Sequence, residues 1–128
     1  MGVGIAAGFL ASGADIVILG RSAEKAFACL DSIQSCAQSI NPDWSKLNPK
    51  LLTGSIDDWQ DWDGVDLVIE TISERLELKQ KIFAALDMRV PLNIPIGSNS
   101  SGFPISDIAI GLSTAHRMFN THYFMPAH

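Results

Sequence analysis

The chain contains few cysteines and no apolar stretch as long as a transmembrane helix. Cys29 and Cys36 are its two cysteines. If both lie on one helix, their Cα atoms are about 10.5 Å apart, and a disulfide tolerates at most about 7 Å. We therefore expect two reduced thiols and a cytoplasmic protein. No basic segment followed by an apolar one opens the sequence, so we expect no secretory leader and no membrane partner.

Basic residues are also scarce. The 128 residues include 9 Lys and Arg against 14 Asp and Glu, for a formal net charge of −5 at pH 7. Nucleic-acid phosphates require a basic surface, so this balance argues against a nucleic-acid partner. The hydrophobic content of 47% and mean hydropathy of +0.19 indicate one folded domain with a real core.

Predicted strands alternate with predicted helices, which is typical of an α/β fold with a largely parallel sheet. A helix at the start of the chain is ended by Gly13, because glycine tolerates the left-handed conformation of a helix C-cap. Residues 16–19 are consecutively apolar, which predicts a strand buried on both faces. The later elements are a helix over 22–40, strands over 50–55 and 65–71, a helix over 76–87, a strand and turn over 93–101, a short helix over 104–110 and a strand over 117–124.

The two long helices show apolar periodicity. The first is capped by Ser22, and the second carries an outward Glu77–Lys81 pair. Pro95 does not fit the strand around it, because proline removes a ladder donor. The predicted inward residues are Phe27, Leu30, Ile33, Ala37 and Ile40 on the first helix, and Leu78, Ile82, Phe83 and Leu86 on the second.

Polar segments follow most of the predicted strands. They are residues 20–22, 70–74 and 98–101, together with His122. Ligands of open α/β sheets bind beyond the carboxyl ends of the strands, so these segments predict a site at one edge of the sheet. The alternative is that they are ordinary turns, which favour Ser, Asn and Gly in any protein.

Several of these segments carry a resemblance to a known family. "DLVIETISERLELKQKIFAALD", "GSNSSGFPISDIA" and "RMFNTHYFMPAH" resemble consecutive blocks of the NAD-binding domain of 3-hydroxyacyl-CoA dehydrogenases. "MGVGIAAGFLASGADIVIL" resembles the part that follows the start of that family's dinucleotide fingerprint. The resemblance implies a Rossmann-like, doubly wound, mostly parallel sheet and NAD as the cofactor.

The match to the fingerprint begins late. Gly2 falls on the last glycine of the family's G-x-G-x-x-G, so the first strand and the two earlier glycines are absent. The resemblance thus implies that residues 1–128 are a partial dinucleotide-binding domain, and that the helical substrate and dimer domain of a homodimeric parent is absent too. We expect this fragment alone to be inactive and to bind a dinucleotide poorly, because the missing turn supplies amides that hold the pyrophosphate.

Five further residues fall on functional positions of the family. The resemblance implies that Glu74 and Lys79 line the cofactor and acyl-CoA cleft, that Asn99 and Ser101 contact nicotinamide, ribose and the substrate oxygen, and that His122 is the catalytic histidine. Taken alone, each has a simpler interpretation. Glu74 and Lys79 suit a solvated helix start and face, Asn99 and Ser101 suit an ordinary turn, and His122 suits a strand histidine.

The resemblance gives no role to the other two histidines, and the sequence departs from the family at two places. His116 and His128 are interpreted as surface residues, because their spacing does not suit a metal motif, and we expect no metal. Gly20 and Arg21 stand where the family has an acidic residue for the adenine ribose. Arginine suits a 2′-phosphate, so NADP is the alternative cofactor. Met125 replaces an asparagine near the nicotinamide.

The expected function is that of an oxidoreductase of fatty acid metabolism. The parent would transfer a hydride between a 3-hydroxyacyl thioester, or a related hydroxy acid, and NAD(P). His122 would act as general base, Ser101 would hold the reacting oxygen, and Asn99 would orient the ring. The alternative is a non-catalytic NAD(P)-binding or crystallin-like structural protein that keeps the fold.

Overall fold

The computed structural model describes residues 1–124 and has the mixed α/β architecture that the sequence predicts. The expectations for Met125 and His128 lie outside these residues. The chain forms two compact units, one of residues 1–61 with Phe124 and one of residues 62–123. The first unit contains α1 (Gly2–Ala11), β1 (Ile16–Gly20), α2 (Ala23–Phe27), α3 (Leu30–Ile40) and β2 (Leu51–Ser55). The second contains β3 (Val68–Glu70), α4 (Leu76–Arg89), β4 (Ile96–Ser98), α5 (Ile105–Ile108) and β5 (Met118–Asn120).

In the first unit, β1 and β2 form a parallel pair in which Gly20 lies opposite Ser55. Gly13 has φ +91°, which confirms its predicted role after α1. The residues of β1 are half-buried, so the expectation of a strand buried on both faces was wrong. Within the described residues its recorded ladder neighbour is β2 alone. The core lies between α1 and α3, and its buried members are Ala6, Ala7, Leu10, Ala11, Ile33 and Ala37.

The helix predicted over 22–40 is two helices, α2 and α3. Ser22 caps the first, since its Oγ accepts the Lys25 amide at 3.4 Å. Ala26 is buried, whereas Phe27 is 66% exposed, so the inward placement of Phe27 was wrong. Ile40, at the C-terminal end of α3, is 37% exposed and was also misplaced. Both cysteines are free thiols, as predicted, although Cys29 precedes α3 and does not share its helix with Cys36.

In the second unit, three short strands form a parallel sheet in the order β3–β4–β5. The register places Glu70 opposite Ser98, and Ser98 opposite Asn120. Each strand has three residues, fewer than predicted, because the ladder ends where the chain turns. Pro95 immediately precedes β4 and contributes its carbonyl oxygen to the Val68 amide at 3.1 Å, which explains how a proline fits there.

The buried face of α4 differs from the predicted one. Phe83 and Leu86 are buried as expected, whereas Leu78 and Ile82 are half-buried. The buried stripe of α4 consists of Lys79, Phe83 and Leu86. It ends at Val90, the buried residue that caps the helix. A buried arginine then satisfies that helix end: Arg117 donates hydrogen bonds to the carbonyls of Val90 (3.0 Å) and Ile94 (3.1 Å), and to those of Asp87 and Pro91.

Candidate active site

Polar side chains meet at the carboxyl edge of the β3–β4–β5 sheet. Glu70 ends β3, Ser98 ends β4, and residues 99–101 continue from Ser98. The prediction of convergence at one edge is therefore confirmed for segments 70–74 and 98–101, whereas residues 20–22 lie at the end of β1, which belongs to a separate sheet. His122 is exposed and lies two residues beyond β5, so its placement inside a strand was wrong. The last rung beside it is the bond from the Thr121 amide to the Ser98 carbonyl, at 2.8 Å.

A buried ion pair lies beneath this edge. Lys79 Nζ is 2.9 and 3.0 Å from the two carboxylate oxygens of Glu70, and the side chains are 1% and 2% exposed. Glu70 also accepts hydrogen bonds from Ser98 Oγ at 2.6 Å and from the Ile72 amide at 2.5 Å. Buried charges cost free energy unless they are paired and hydrogen-bonded, and here both carboxylate oxygens have partners.

Glu74 holds the turn after β4. Its Oε1 accepts hydrogen bonds from Ser100 Oγ (2.5 Å) and from the amides of Ser101 (3.0 Å) and Gly102 (2.8 Å). Its Oε2 is 3.3 Å from Lys79 Nζ. Desolvation raises the pKa of Glu74, but the hydrogen bonds from Ser100 and Gly102 and the Lys79 charge outweigh it and lower the pKa from 4.5 to about 2. Glu74 is therefore an ionised clamp and not a merely solvated residue.

Lys79 does not have the solvated position that its simpler interpretation gave it. It is 1% exposed, so it does not lie on a solvated helix face, and its ammonium group is turned to Glu70 and Glu74. Sequence reasoning missed the partners Glu70, Ser98 and Ser100. One signal was available, because Glu70 is a carboxylate inside an apolar strand and such a charge needs a buried partner.

Asn99 connects the turn after β4 to the segment that carries His122. Its Oδ1 accepts a hydrogen bond from the Tyr123 amide at 2.7 Å. Ser101 is exposed, and its main chain is held by Glu74. The structure thus joins Lys79, Glu74 and the main chain of Ser101 in one network. The side chain of Asn99, in the same turn, binds the amide of the residue after His122.

The other predicted cofactor residues lie in the first unit. Gly2 is the first residue of α1, whose N-cap, Met1, makes no side-chain capping bond. Arg21 is exposed and directly follows β1. A Cβ atom at Gly20 would lie 2.9 Å from both the Ala26 nitrogen and the Ser22 oxygen. Glycine at position 20 therefore has a packing cause, the close approach of the α2 backbone, which sequence reasoning did not find.

No helix in residues 1–124 combines the length and apolar character needed to cross a membrane. In the same part of the chain, no three His, Cys, Asp or Glu side chains are grouped so that they could hold a metal ion.

Comparison with known proteins identifies the family. All 128 residues match the family model described as 3-hydroxyacyl-CoA dehydrogenase, NAD binding domain. The chain is 28% identical to the glyoxysomal fatty acid beta-oxidation multifunctional protein MFP-a of Brassica napus, an alignment that covers 100% of this chain and 18% of the relative. Against the human peroxisomal bifunctional enzyme it is 36% identical, over 71% of this chain and 12% of the relative.

Solved structures show the same fold. The 3-hydroxybutyryl-CoA dehydrogenase of Escherichia coli has a TM-score of 0.84 and 28% identity, over 99% of this chain and 28% of that one. The (S)-3-hydroxybutyryl-CoA dehydrogenase of Ralstonia eutropha has a TM-score of 0.79 and 28% identity, over 99% and 47% of the two chains. The chain thus spans less than half of these relatives and has their Rossmann-like, parallel-stranded α/β fold. These 128 residues belong to the NAD-binding domain family of the 3-hydroxyacyl-CoA dehydrogenases.

Proposed function

We propose that the 128 residues are part of the dinucleotide-binding domain of a longer dehydrogenase. That enzyme would interconvert a 3-hydroxyacyl thioester and its 3-keto form with NAD(P), in fatty acid metabolism. The observation that carries the proposal is the set of hydrogen bonds that fixes the carboxyl edge of the sheet in the second unit. The Glu74 clamp fixes the turn that contains Ser101, and Asn99 binds the residue after His122. The two side chains proposed for chemistry therefore stand on neighbouring, hydrogen-bonded segments.

The first unit offers groups that suit the phosphates of a dinucleotide. The opening amides of a helix lack intrahelical acceptors, and those of α1, from Gly2 onward, have no side-chain cap. Such amides bind phosphate, because they donate hydrogen bonds at the positive end of the helix dipole. We assign Gly2 to the pyrophosphate and Gly20 with Arg21 to the adenine ribose. Arg21 is the reason that NADP remains the alternative to NAD.

The second unit offers groups for the nicotinamide end. We assign the amide nitrogen of Asn99 to the nicotinamide, and Glu74, whose side chain is 39% exposed, to the adjoining ribose and ring edge. Lys79 contributes indirectly, because its ammonium group lies 3.3 Å from Glu74 and adds to the hydrogen bonds from Ser100 and Gly102 that lower the pKa of Glu74. When bound, the cofactor supplies the hydride acceptor or donor, and the remaining work falls to groups of the protein.

Two residues carry that work. His122 removes the proton of the substrate hydroxyl as general base, and returns it in the reverse direction. Proton removal builds negative charge on the substrate oxygen, so the Ser101 hydroxyl stabilises the transition state by donating a hydrogen bond to it. Both side chains belong to exposed residues.

His122→Ala in the full-length protein tests this assignment. We expect the rate of hydride transfer to fall by a factor of about 10² to 10⁴, which is the usual contribution of general acid–base catalysis. The dissociation constant of the cofactor should change little. His116→Ala is the matched control, because His116 is also exposed but lies in the 3₁₀ turn before β5. A rate that is unaffected by His122→Ala would remove this residue from the mechanism.

The proposal also covers the oligomeric state of the parent, the activity of the fragment and the location of the protein. The parent forms a homodimer through a helical domain outside these residues, and the 128-residue fragment alone is inactive; analytical ultracentrifugation of the parent and a turnover assay of the fragment test these points. The cytoplasmic location rests on the two free thiols. Since relatives are named peroxisomal and glyoxysomal, microscopy of a tagged full-length protein should decide the compartment.

A further inference from the structure

The side chain of Asn99 lies where the β4–β5 ladder ends. The last paired residues of the two strands are Ser98 and Asn120. The ladder continues by one backbone bond, from the Thr121 amide to the Ser98 carbonyl at 2.8 Å. In a regular parallel ladder the next bond donated from the β5 side would run from the Tyr123 amide to the carbonyl of Ser100. The observed acceptor of the Tyr123 amide is instead Asn99 Oδ1, at 2.7 Å.

The cause of this exchange is the turn after β4. The Ser100 side chain and the amides of Ser101 and Gly102 are drawn to Glu74 Oε1, so the chain leaves the strand direction there. The Asn99 side chain then supplies the carbonyl group that the backbone no longer offers. Its amide oxygen has the same acceptor geometry as a peptide carbonyl, so the ladder gains one more rung.

This rung fixes the backbone on the far side of His122. The amide before the histidine, at Thr121, binds Ser98, and the amide after it, at Tyr123, binds Asn99. Asn120 adds a third anchor, because its Oδ1 accepts the Ile105 amide at 2.8 Å. The main chain of His122 is thus held from both sides, although the residue itself lies beyond the strand and is exposed.

We propose that Asn99 Oδ1 is a positioning group for His122. It extends the parallel ladder by one side-chain hydrogen bond and thereby fixes the backbone from which the imidazole projects. The proposal rests on the function proposed above for His122. It differs from the assignment of the Asn99 amide nitrogen to the nicotinamide, since it concerns the other atom of the same group. Displacing a catalytic group by about 1 Å can cost a factor of about 10² in rate, so such a rung has a measurable value.

Asn99→Ala and Asn99→Asp in the full-length protein separate the two atoms. Alanine removes both the oxygen and the nitrogen, whereas aspartate keeps an acceptor for the Tyr123 amide and loses the NH₂ donor. Asn93→Ala is the matched control, because Asn93 is an exposed asparagine of the same unit. The readouts are hydrogen–deuterium exchange of the peptide that contains Tyr123, the kcat of hydroxyacyl oxidation and the KM for the dinucleotide.

We expect Asn99→Ala to speed exchange at Tyr123 at least tenfold and to lower kcat by about 10². Asn99→Asp should restore the slow exchange and return kcat to within about tenfold of the wild type, while the dinucleotide KM stays raised. The positioning role is wrong if hydrogen exchange at Tyr123 is unchanged in Asn99→Ala. It is also wrong if Asn99→Asp restores slow exchange at Tyr123 but its kcat is as low as that of Asn99→Ala.

Three other outcomes also decide between the positioning role and its alternatives. If Asn99→Ala does not fold, Asn99→Asp carries the test, and rapid exchange at Tyr123 in that variant overturns the proposal. If Asn99→Ala keeps its kcat while His122→Ala loses activity, the positioning role fails and the proposed function stands. If His122→Ala itself keeps full activity, it is the proposed function that fails.

Discussion

Lys79 shows how a single buried charge can organise an exposed site. Its ammonium group neutralises Glu70 inside the sheet edge and also lies 3.3 Å from Glu74 at the surface. Glu74 in turn holds the main chain of Ser101. A charge that never meets solvent is thereby connected, in two steps, to a side chain proposed to bind the substrate oxygen.

Lys79→Met should lower the free energy of unfolding by about 3–5 kcal/mol, because it leaves the Glu70 carboxylate buried without its counter-charge. Lys81→Met is the matched control, since Lys81 is exposed on the same helix. Urea unfolding of the full-length variants measures both. Equal losses for the two variants would show that the Glu70–Lys79 pair adds nothing to stability.

Glu74 should make the fold sensitive to acid. Its pKa of about 2 in the folded state lies below the ordinary 4.5, so the unfolded chain binds more protons between these values. The contribution of Glu74 is therefore complete above about pH 4.5 and is lost as the pH falls toward 2. Glu74→Gln should flatten the dependence of the urea midpoint on pH in this window. A slope identical to that of the wild type would contradict the clamp.

The choice of cofactor is best tested at Arg21. An aspartate at position 20 needs a Cβ that would lie 2.9 Å from backbone atoms of Ser22 and Ala26, so Gly20→Asp would disturb the start of α2 as well as the charge. Arg21→Ala avoids this. We expect it to weaken NADPH binding by about ten- to a hundred-fold, the value of a charge-assisted hydrogen bond, and to spare NADH.

Lys25→Ala is the control for Arg21→Ala, because Lys25 is exposed and near in sequence. Fluorescence titration of the full-length variants with NADH and NADPH gives both dissociation constants. If Arg21→Ala leaves both affinities unchanged, the arginine is an ordinary surface residue and NAD is the better assignment.

At the scale of elements, the sequence predicts which helices and strands exist better than it predicts their ends and faces. Consecutive apolar residues placed β1 within one residue of its observed bounds. The third strand shrank from seven predicted residues to Val68–Glu70, because pairing partners set the length of a ladder. The face of α4 was shifted, since periodicity treats Lys79 as polar and therefore outward. Its burial depends on Glu70, which another element supplies.

The candidate site could likewise be predicted from the sequence only in part. The rule that ligands bind beyond strand ends placed segments 70–74 and 98–101 at one edge, as observed. The bond from Tyr123 to Asn99 and the clamp from Glu74 to Ser101 could not be predicted, because each joins residues more than twenty positions apart. The crowding at Gly20 is a further example, since only the path of α2 reveals it.

At the scale of the whole molecule, we propose that the chemistry belongs to a protein longer than this chain. The chain spans 18% of the Brassica napus relative and 28% of the Escherichia coli one. Each unit carries residues that are proposed to bind the dinucleotide: the start of α1 and Arg21 belong to the first unit, and the network around Glu74, Asn99 and His122 belongs to the second. The substrate pocket and the dimer are proposed for residues outside this chain.

The most direct test of the central claim is a steady-state assay of the purified full-length protein with 3-hydroxyacyl-CoA thioesters of several chain lengths and with NAD or NADP. The predicted result is dinucleotide-dependent oxidation of at least one of these thioesters to its 3-keto form, followed as formation of the reduced cofactor. Cofactor binding without turnover of any 3-hydroxyacyl thioester would contradict the account and favour the non-catalytic alternative.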